Sequence, residues 1–282
     1  MPLRIFNNLN SLVAQRRLGE NNRNLGLTVT RIASGIRINR SSDDAAGLSI
    51  SEGLRSDIRT LRQGARNLND GLALIKVADG ALDEQASILL RLRELASQAA
   101  TGTIGNTERR TIQLEFNALR NEFDRIGATT EFNGTRLLDG SLKSNANIQA
   151  FIHIGLDSGS ANRINLNREI DLSEISSSAL RFNAVNIEGI DAAASALETL
   201  RNIIDEINVK RGEVGIVQNR LERTLANTNV AIESLTTADS GIRDADLAEE
   251  VAALTKRQIL VSTSAAMVGQ ANLQPQNVLQ LL

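Results

Sequence analysis

"LRSDIRTLRQGARNLNDGLALIKVADGALDEQASIL", residues 54–89, carries one apolar phase from end to end. Leu54, Ile58, Leu61, Ala65, Leu68, Leu72, Ile75, Leu82, Ala86 and Leu89 follow alternating steps of four and three, with Asp79 the one polar member. A heptad phase held over this length predicts a long helix packed along one seam. The same rhythm returns at Ala193, Leu197, Leu200, Ile204, Ile207, Arg211, Val214, Gln218, Leu221, Leu225, Thr228, Ile232 and Leu235. Arg211, Gln218 and Thr228 are its polar members. At 1.5 Å per residue, 193–235 makes a rod about 63 Å long. A shorter stripe, Ile112, Phe116, Leu119, Phe123 and Ile126, lies between the two, set off by the loop "TGTIGNT" at 101–107.

Helix starts are readable as well. Ser41, Ser42, Asp43 and Asp44 precede the first rod, where side-chain oxygens cap free N–H groups and acids favour the dipole. Glycines 47, 53, 64, 71 and 80 each cost about 1 kcal/mol against Ala in a helix interior, which suggests close approach of other chain segments. The region 132–184 changes character. "IQAFIHIGL" and "NRINLNREIDL" alternate apolar and polar residues around the turn "DSGSAN", and predict a small β-ribbon.

Both ends carry weaker helical stripes. Leu18, Leu25, Val29, Ile32 and Ile36 form one; Leu247, Val251, Leu254, Val261 and Val268 form the other, interrupted by Gln258 and Asn272. Ordering each arm costs about 1–2 kcal/mol per residue, and its few large apolar groups return about 1.5–3 kcal/mol each. The arms are therefore expected to need a partner surface. The closing "QANLQPQNVLQLL", 270–282, ends on Val278, Leu279, Leu281 and Leu282, an apolar finish with nothing after it to cover it. Pro275 is expected to break or kink the helix just before them.

The order helix, rod, β, rod, helix implies a mainly α fold. Long antiparallel coiled-coil-like rods carry a β-ribbon at the tip, and the N- and C-terminal halves pair into discontinuous domains. Both termini then fall at one end of an elongated molecule.

Composition narrows the function. The chain has 282 residues, formal net charge −2, one His, six Phe, and no Cys, Trp or Tyr. The distribution is less even: residues 1–40 hold seven Arg and one acid, while 239–250 hold five acids against Arg243. Absence of Cys rules out disulfide and thiol chemistry. His153, alone, cannot complete a zinc motif, and reads as a strand residue. Adjacent Asp43 and Asp44 point about 100° apart on a helix and read as caps rather than an acid–base pair. There is no phosphate-binding loop, no aromatic-interleaved basic patch for nucleic acid, no apolar run of about 20 residues for a membrane, and no secretory leader pattern at the start. No cofactor is expected. Arg55, Arg59, Arg62 and Arg66, at 4-3-4 spacing, form a basic stripe that suits either solvent or an acidic face of a neighbouring molecule.

Several long segments together carry a family resemblance. "RIASGIRINRSSDDAAGLSI" at 31–50, "LRELASQAA" at 92–100, "EFNGTRLLDG" at 131–140, "QNRLERTLAN" at 218–227, "DSGIRDADLAEEV" at 239–251 and the closing "QANLQPQNVLQLL" resemble, in this order, the segments of bacterial flagellins. The resemblance covers about 1–140 and 184–282, with only a short middle where many flagellins insert outer domains. It implies a minimal form with two domains, called D0 (1–43 and 240–282) and D1 (44–239, with the ribbon at about 132–184), and no D2 or D3.

The resemblance implies more. The chain would be a structural subunit, not an enzyme, polymerising into the flagellar filament, the helical propeller of motility. It would be exported uncleaved through the flagellum's own type III channel, with an export chaperone on the C-terminal arm. The filament cap and hook-associated junction proteins would be its other partners. D0 would be ordered in the filament core and disordered in the free subunit. Polymerisation would fall to the arm residues named above. Within "LRLRELASQ" and "IQLEFN", Arg91, Leu95, Gln98 and Glu115 match the surface that a vertebrate Toll-like receptor grips. Rival readings are a hook–filament junction protein, and a secreted coiled-coil adhesin or effector.

Overall fold

The structure is a computed structural model that describes the backbone of residues 8–147 and 149–279, and side chains as far as residue 273. Leu281 and Leu282, and the side chains of Val278 and Leu279, lie outside the described residues. The chain divides into two compact units, one of Met1–Ser56 with Ser234–Leu282, the other Asp57–Glu233.

In the second unit, α2 (Ala45–Ala99) supplies its length from residue 57 on, α5 (Ile190–Arg243) its length up to 233, and α3 (Asn106–Thr129) shares their hydrophobic core. The seam read from sequence is present: Ile58, Leu68, Leu72, Ile75, Leu82, Ala86 and Leu89 are buried. It is one edge of a wider buried face, because Gly71, Ala78, Gln85, Leu92 and Ala99, one every seven residues, form a second stripe beside it. A helix packed against two others needs such breadth, and small or polar members hide the second stripe from an apolar reading.

The polar exceptions pair. Arg211 reaches Asp79 at 3.4 Å and Asp83 at 2.8 Å, so the breaks in the two seams meet. Arg109 of α3, 4% exposed, donates to the carbonyls of Ala99 and Thr101 and so closes the C-terminus of α2. Gln113 accepts from the Ile187 N–H at 2.7 Å. Phe123 and Phe182 meet edge to face at 5.2 Å between ring centres.

The β-ribbon is shorter than the alternation suggests. β1 (Glu131–Phe132) and β2 (Thr135–Arg136) form a hairpin around Asn133 and Gly134, both at positive φ. β3 (Phe151–His153) pairs antiparallel with β4 (Arg163–Asn165), Ile152 opposite Ile164. The chain then turns helical at α4 (Leu166–Ile170), because the Asn165 side chain caps the Arg168 N–H. The second predicted strand therefore stops at Asn165. Buried Asn167 holds this corner, accepting from the Ala150 N–H and donating to the Ser141 and Lys143 carbonyls. Two glycines of α2 seat the ribbon: a Cβ on Gly64 would lie 2.7 Å from the Ile154 carbonyl oxygen, and one on Gly71 would meet the Ile152 side chain. Gly53 and Gly80 face open space, so close approach explains only some of these glycines.

In the first unit, α1 (Leu9–Ser34) and α6 (Leu247–Leu279) pack antiparallel. Ser11, Ala14, Leu18, Asn21, Leu25, Thr28 and Ile32 make the seam of α1 at 3-4 spacing; Glu250, Leu254, Arg257, Val261, Ser264, Val268 and Ala271 make that of α6. Polar members bond across it. Ser11 donates to Asn272 at 2.6 Å, Asn21 to Ser264 at 2.7 Å, Arg257 to Thr28, and Arg31 pairs with Glu250 at 3.3 Å. α6 continues through Pro275, so the expected break there does not occur. The Asn8 side chain supplies the Ala271 carbonyl with the donor that Pro275 lacks.

α5 runs past residue 240, and its end is tied to the start of α2. The Arg37 N–H donates to the Arg243 carbonyl at 2.7 Å and the Ala245 N–H to that of Gly35 at 3.0 Å. Ser51 donates to Asp239, and Arg243 pairs with Glu52 at 2.8 Å. Of the four expected caps, Asp44 alone caps α2, accepting from the Gly47 N–H; Asp43 turns back to the N–H groups of Asn39 and Arg40.

Candidate assembly surfaces

The arm pair spends its seam on itself and leaves apolar side chains outside. Leu18, Leu25 and Ile32 are half-buried against α6, as Leu254, Val261 and Val268 are against α1. Val29, Leu247 and Val251 stay about half exposed, at 49%, 53% and 50%. Leu9, Leu12 and Val13 on α1, and Ile259, Leu260, Met267 and Leu273 on α6, are exposed as well. The sequence stripes thus mix seam residues with outer-face residues. Ser11, Asn21, Thr28, Arg257 and Ser264 fill the seam positions that an apolar reading skips. So many exposed large apolar groups on two helices mark a surface made for contact.

On the other unit, Arg91 joins α2 to α3 through Glu115 at 2.9 Å and also meets Glu94 at 3.0 Å. These hydrogen bonds, the one it donates to Glu115 first among them, hold its guanidinium still more firmly protonated than usual. Gln98 is exposed two turns on from Arg91. Leu95, by contrast, is 2% exposed and belongs to the core, so it is not a surface contact as expected. Its apolar side chain points into the seam that α2 shares with its neighbours. Of the basic stripe, Arg55 is taken up by Glu52 at 3.0 Å, while Arg59, Arg62 and Arg66 remain exposed.

Little else in the structure suggests chemistry. Among the described residues, no three His, Cys, Asp or Glu side chains gather to hold a metal ion, and no helix is long and apolar enough to cross a membrane. His153 is exposed on β3. Asp43 and Asp44 are each engaged by their own backbone donors.

Comparison with known proteins gives these surfaces a context. The model of the bacterial flagellin N-terminal helical region matches residues 5–143, and that of the C-terminal helical region matches 187–282. A flagellin of Bacillus subtilis is 40% identical over 304 residues, covering 99% of this chain and 100% of that one. A flagellin of Halalkalibacterium halodurans is 41% identical over 278 residues, covering 99% of both. A flagellar filament 30.7 kDa core protein of Treponema maltophilum is 38% identical over 283 residues, again covering 99% of both. Among solved structures, a flagellin of Bacillus cereus is 30% identical with a TM-score of 0.49, covering 58% of this chain and 88% of that one. With both terminal regions matched and relatives aligned over their full length, the chain belongs to the bacterial flagellin family.

Proposed function

We infer that this chain is the structural subunit of a bacterial flagellar filament, polymerising into the helical propeller of motility. Its full-length relationship to proteins named as flagellins and filament core proteins carries the reading. The exposed apolar faces of α1 and α6 support it, since a subunit that works only in a polymer leaves contact surface uncovered. The place of work is extracellular, in the filament.

The finer assignments rest on family resemblance. D0 is formed by 1–43 with 240–282, and D1 by 44–239. Val29, Leu247 and Val251 are half exposed and suited to contacts between copies, while Leu18, Leu25, Ile32, Leu254, Val261 and Val268 hold the two arms to one another. Val278, Leu279, Leu281 and Leu282 extend the apolar surface in sequence. Export runs through the flagellar channel without cleavage, with a chaperone on the C-terminal arm and the cap and junction proteins as later partners. Arg91, Gln98 and Glu115 form the face for a Toll-like receptor.

Seeded growth tests the reading. Purified chain added to sheared filament fragments is expected to elongate them without limit, followed by electron microscopy. Addition of a single layer followed by arrest would overturn it in favour of a junction protein.

A further inference from the structure

Unpaired charge collects at two places in the unit Asp57–Glu233. Arg59, Arg62 and Arg66 share one exposed face of α2. Asp191, Glu198 and Asp205 stand seven residues apart on α5, all exposed, and seven residues advance about 10.5 Å with little rotation. Among the described residues, none of these six enters an ion pair. Arg66 is held only by neutral Gln63. Arg201 near the acidic column and Asp70 near the arginine row each offset one charge, and both rows keep their sign.

The two rows are far apart within one copy. α2 and α5 run antiparallel, as the ion pairs from Arg211 to Asp79 and Asp83 and the facing of Gly71 and Leu221 fix. That register sets Glu198 level with the turn of α2 near Glu94, about 48 Å along the helices from Arg62. Charges so separated lie well beyond a screening length of about 10 Å at 0.1 M salt and do nothing for one another.

We propose that they meet between copies: the arginine row of one subunit docks on the acidic column of the next, displaced along the helix axes. Opposite signs at opposite ends of a unit favour head-to-tail contact, which repeats without closing and builds an open polymer. A two-fold dimer through either row would set like charge against like, and is disfavoured. The proposal rests on the filament reading for the presence of many copies, and adds which faces meet.

Charge reversal tests it on the full chain. One variant carries R59E/R62E/R66E, the other E198R/D205R; Asp191 is kept because it also sits in the first turn of α5. Circular dichroism first confirms parental helicity in each. By sedimentation, each variant alone is expected to need about tenfold more protein to polymerise. An equimolar mixture restores assembly to within about twofold of the parent, because each acidic row then meets a basic one. A neutral variant, R59Q/R62Q/R66Q, is expected to flatten the dependence of elongation rate on salt. Parental assembly by either reversed variant alone, or a mixture no better than its components, or an unchanged salt dependence, would overturn the proposal. Unlimited elongation by the parent chain reads the filament function separately.

Discussion

The side-chain amide of Asn8 donates to the carbonyl oxygen of Ala271 at 2.7 Å, and Ala271 lies four residues before Pro275. A helical carbonyl normally accepts from the N–H four residues on, which proline lacks. Asn8 fills that gap, and its oxygen accepts from the Ser11 N–H at 3.0 Å to cap α1. One side chain thus starts one arm and mends the other. Asn8→Ala is expected to weaken the arm pair by about 1–2 kcal/mol through both losses. Pro275→Ala returns the missing N–H, so Asn8→Ala costs less in that background. Amide exchange at the end of α6, in all four combinations, measures the coupling; strictly additive effects would refute it.

How far the sequence foretells this fold depends on what carries the signal. The seams of α2, α3 and α5 are rows of large apolar residues, and periodicity finds them. The arm seam alternates Leu18, Leu25 and Ile32 with Ser11, Asn21 and Thr28, so periodicity finds half of it and drifts toward exposed Val29. Leu95 went astray for the opposite reason, since a matched motif does not say which side of a helix faces inward. Arg109, Gln113 and Asn167 carry no pattern at all, because their partners are backbone groups distant in sequence. Asp79 and Arg211 are the instructive case: each looks like a flaw in its own seam, and only together do they read as a register mark.

Removing Arg211 leaves Asp79 and Asp83 facing each other one turn apart. All three side chains are partly solvated, so Arg211→Ala is expected to cost only about 0.5–1 kcal/mol. Asp79→Leu with Arg211→Leu makes both seams apolar at this crossing and is expected to be as stable as the parent or more so. Urea unfolding of the parent, Arg211→Ala and the double variant measures both. A double variant less stable than Arg211→Ala would show that the pair does more than mark register.

Glycines of one helix are predicted to respond with opposite sign. A Cβ on Gly64 would press on the Ile154 backbone, so Gly64→Ala is expected to destabilise by about 1–3 kcal/mol. Gly80 has open space at that point, so Gly80→Ala is expected to stabilise by up to about 1 kcal/mol. Thermal unfolding of the two variants settles the matter, and equal shifts would mean that the ribbon does not rest on α2 at Gly64.

Acid should loosen the joint between the end of α5 and the start of α2. The Arg243 guanidinium holds Glu52 below its usual 4.5, and the Arg40 N–H, with that of Asn39, holds Asp43 below its usual 3.8. Because both are depressed in the fold, their contribution is present above these usual values and lost as pH falls through the lower folded values. Helicity is therefore expected to stay level from about pH 8 to 5 and to fall below about pH 4. Glu52→Gln, less stable than the parent near neutrality, should lose that deficit as pH falls below the usual carboxylate range. A constant gap between the two across the titration would exclude Glu52 from the acid response.

The receptor face is predicted to be separable from the fold. Arg91 and Glu115 are each about half exposed, at 51% and 48%, so their ion pair is screened by solvent and contributes little to stability. Arg91→Ala should leave helicity and thermal unfolding near parental values. It should nevertheless reduce signalling by monomer in cells carrying the flagellin-sensing Toll-like receptor, because the exposed guanidinium that reaches Glu115 from α2 is gone. Leu95→Ala should behave the other way, unfolding earlier by about 2–5 kcal/mol as a core cavity does. Its effect on signalling should be small wherever it is folded. Undiminished signalling by Arg91→Ala, or selective loss by a fully folded Leu95→Ala, would move the recognition face elsewhere.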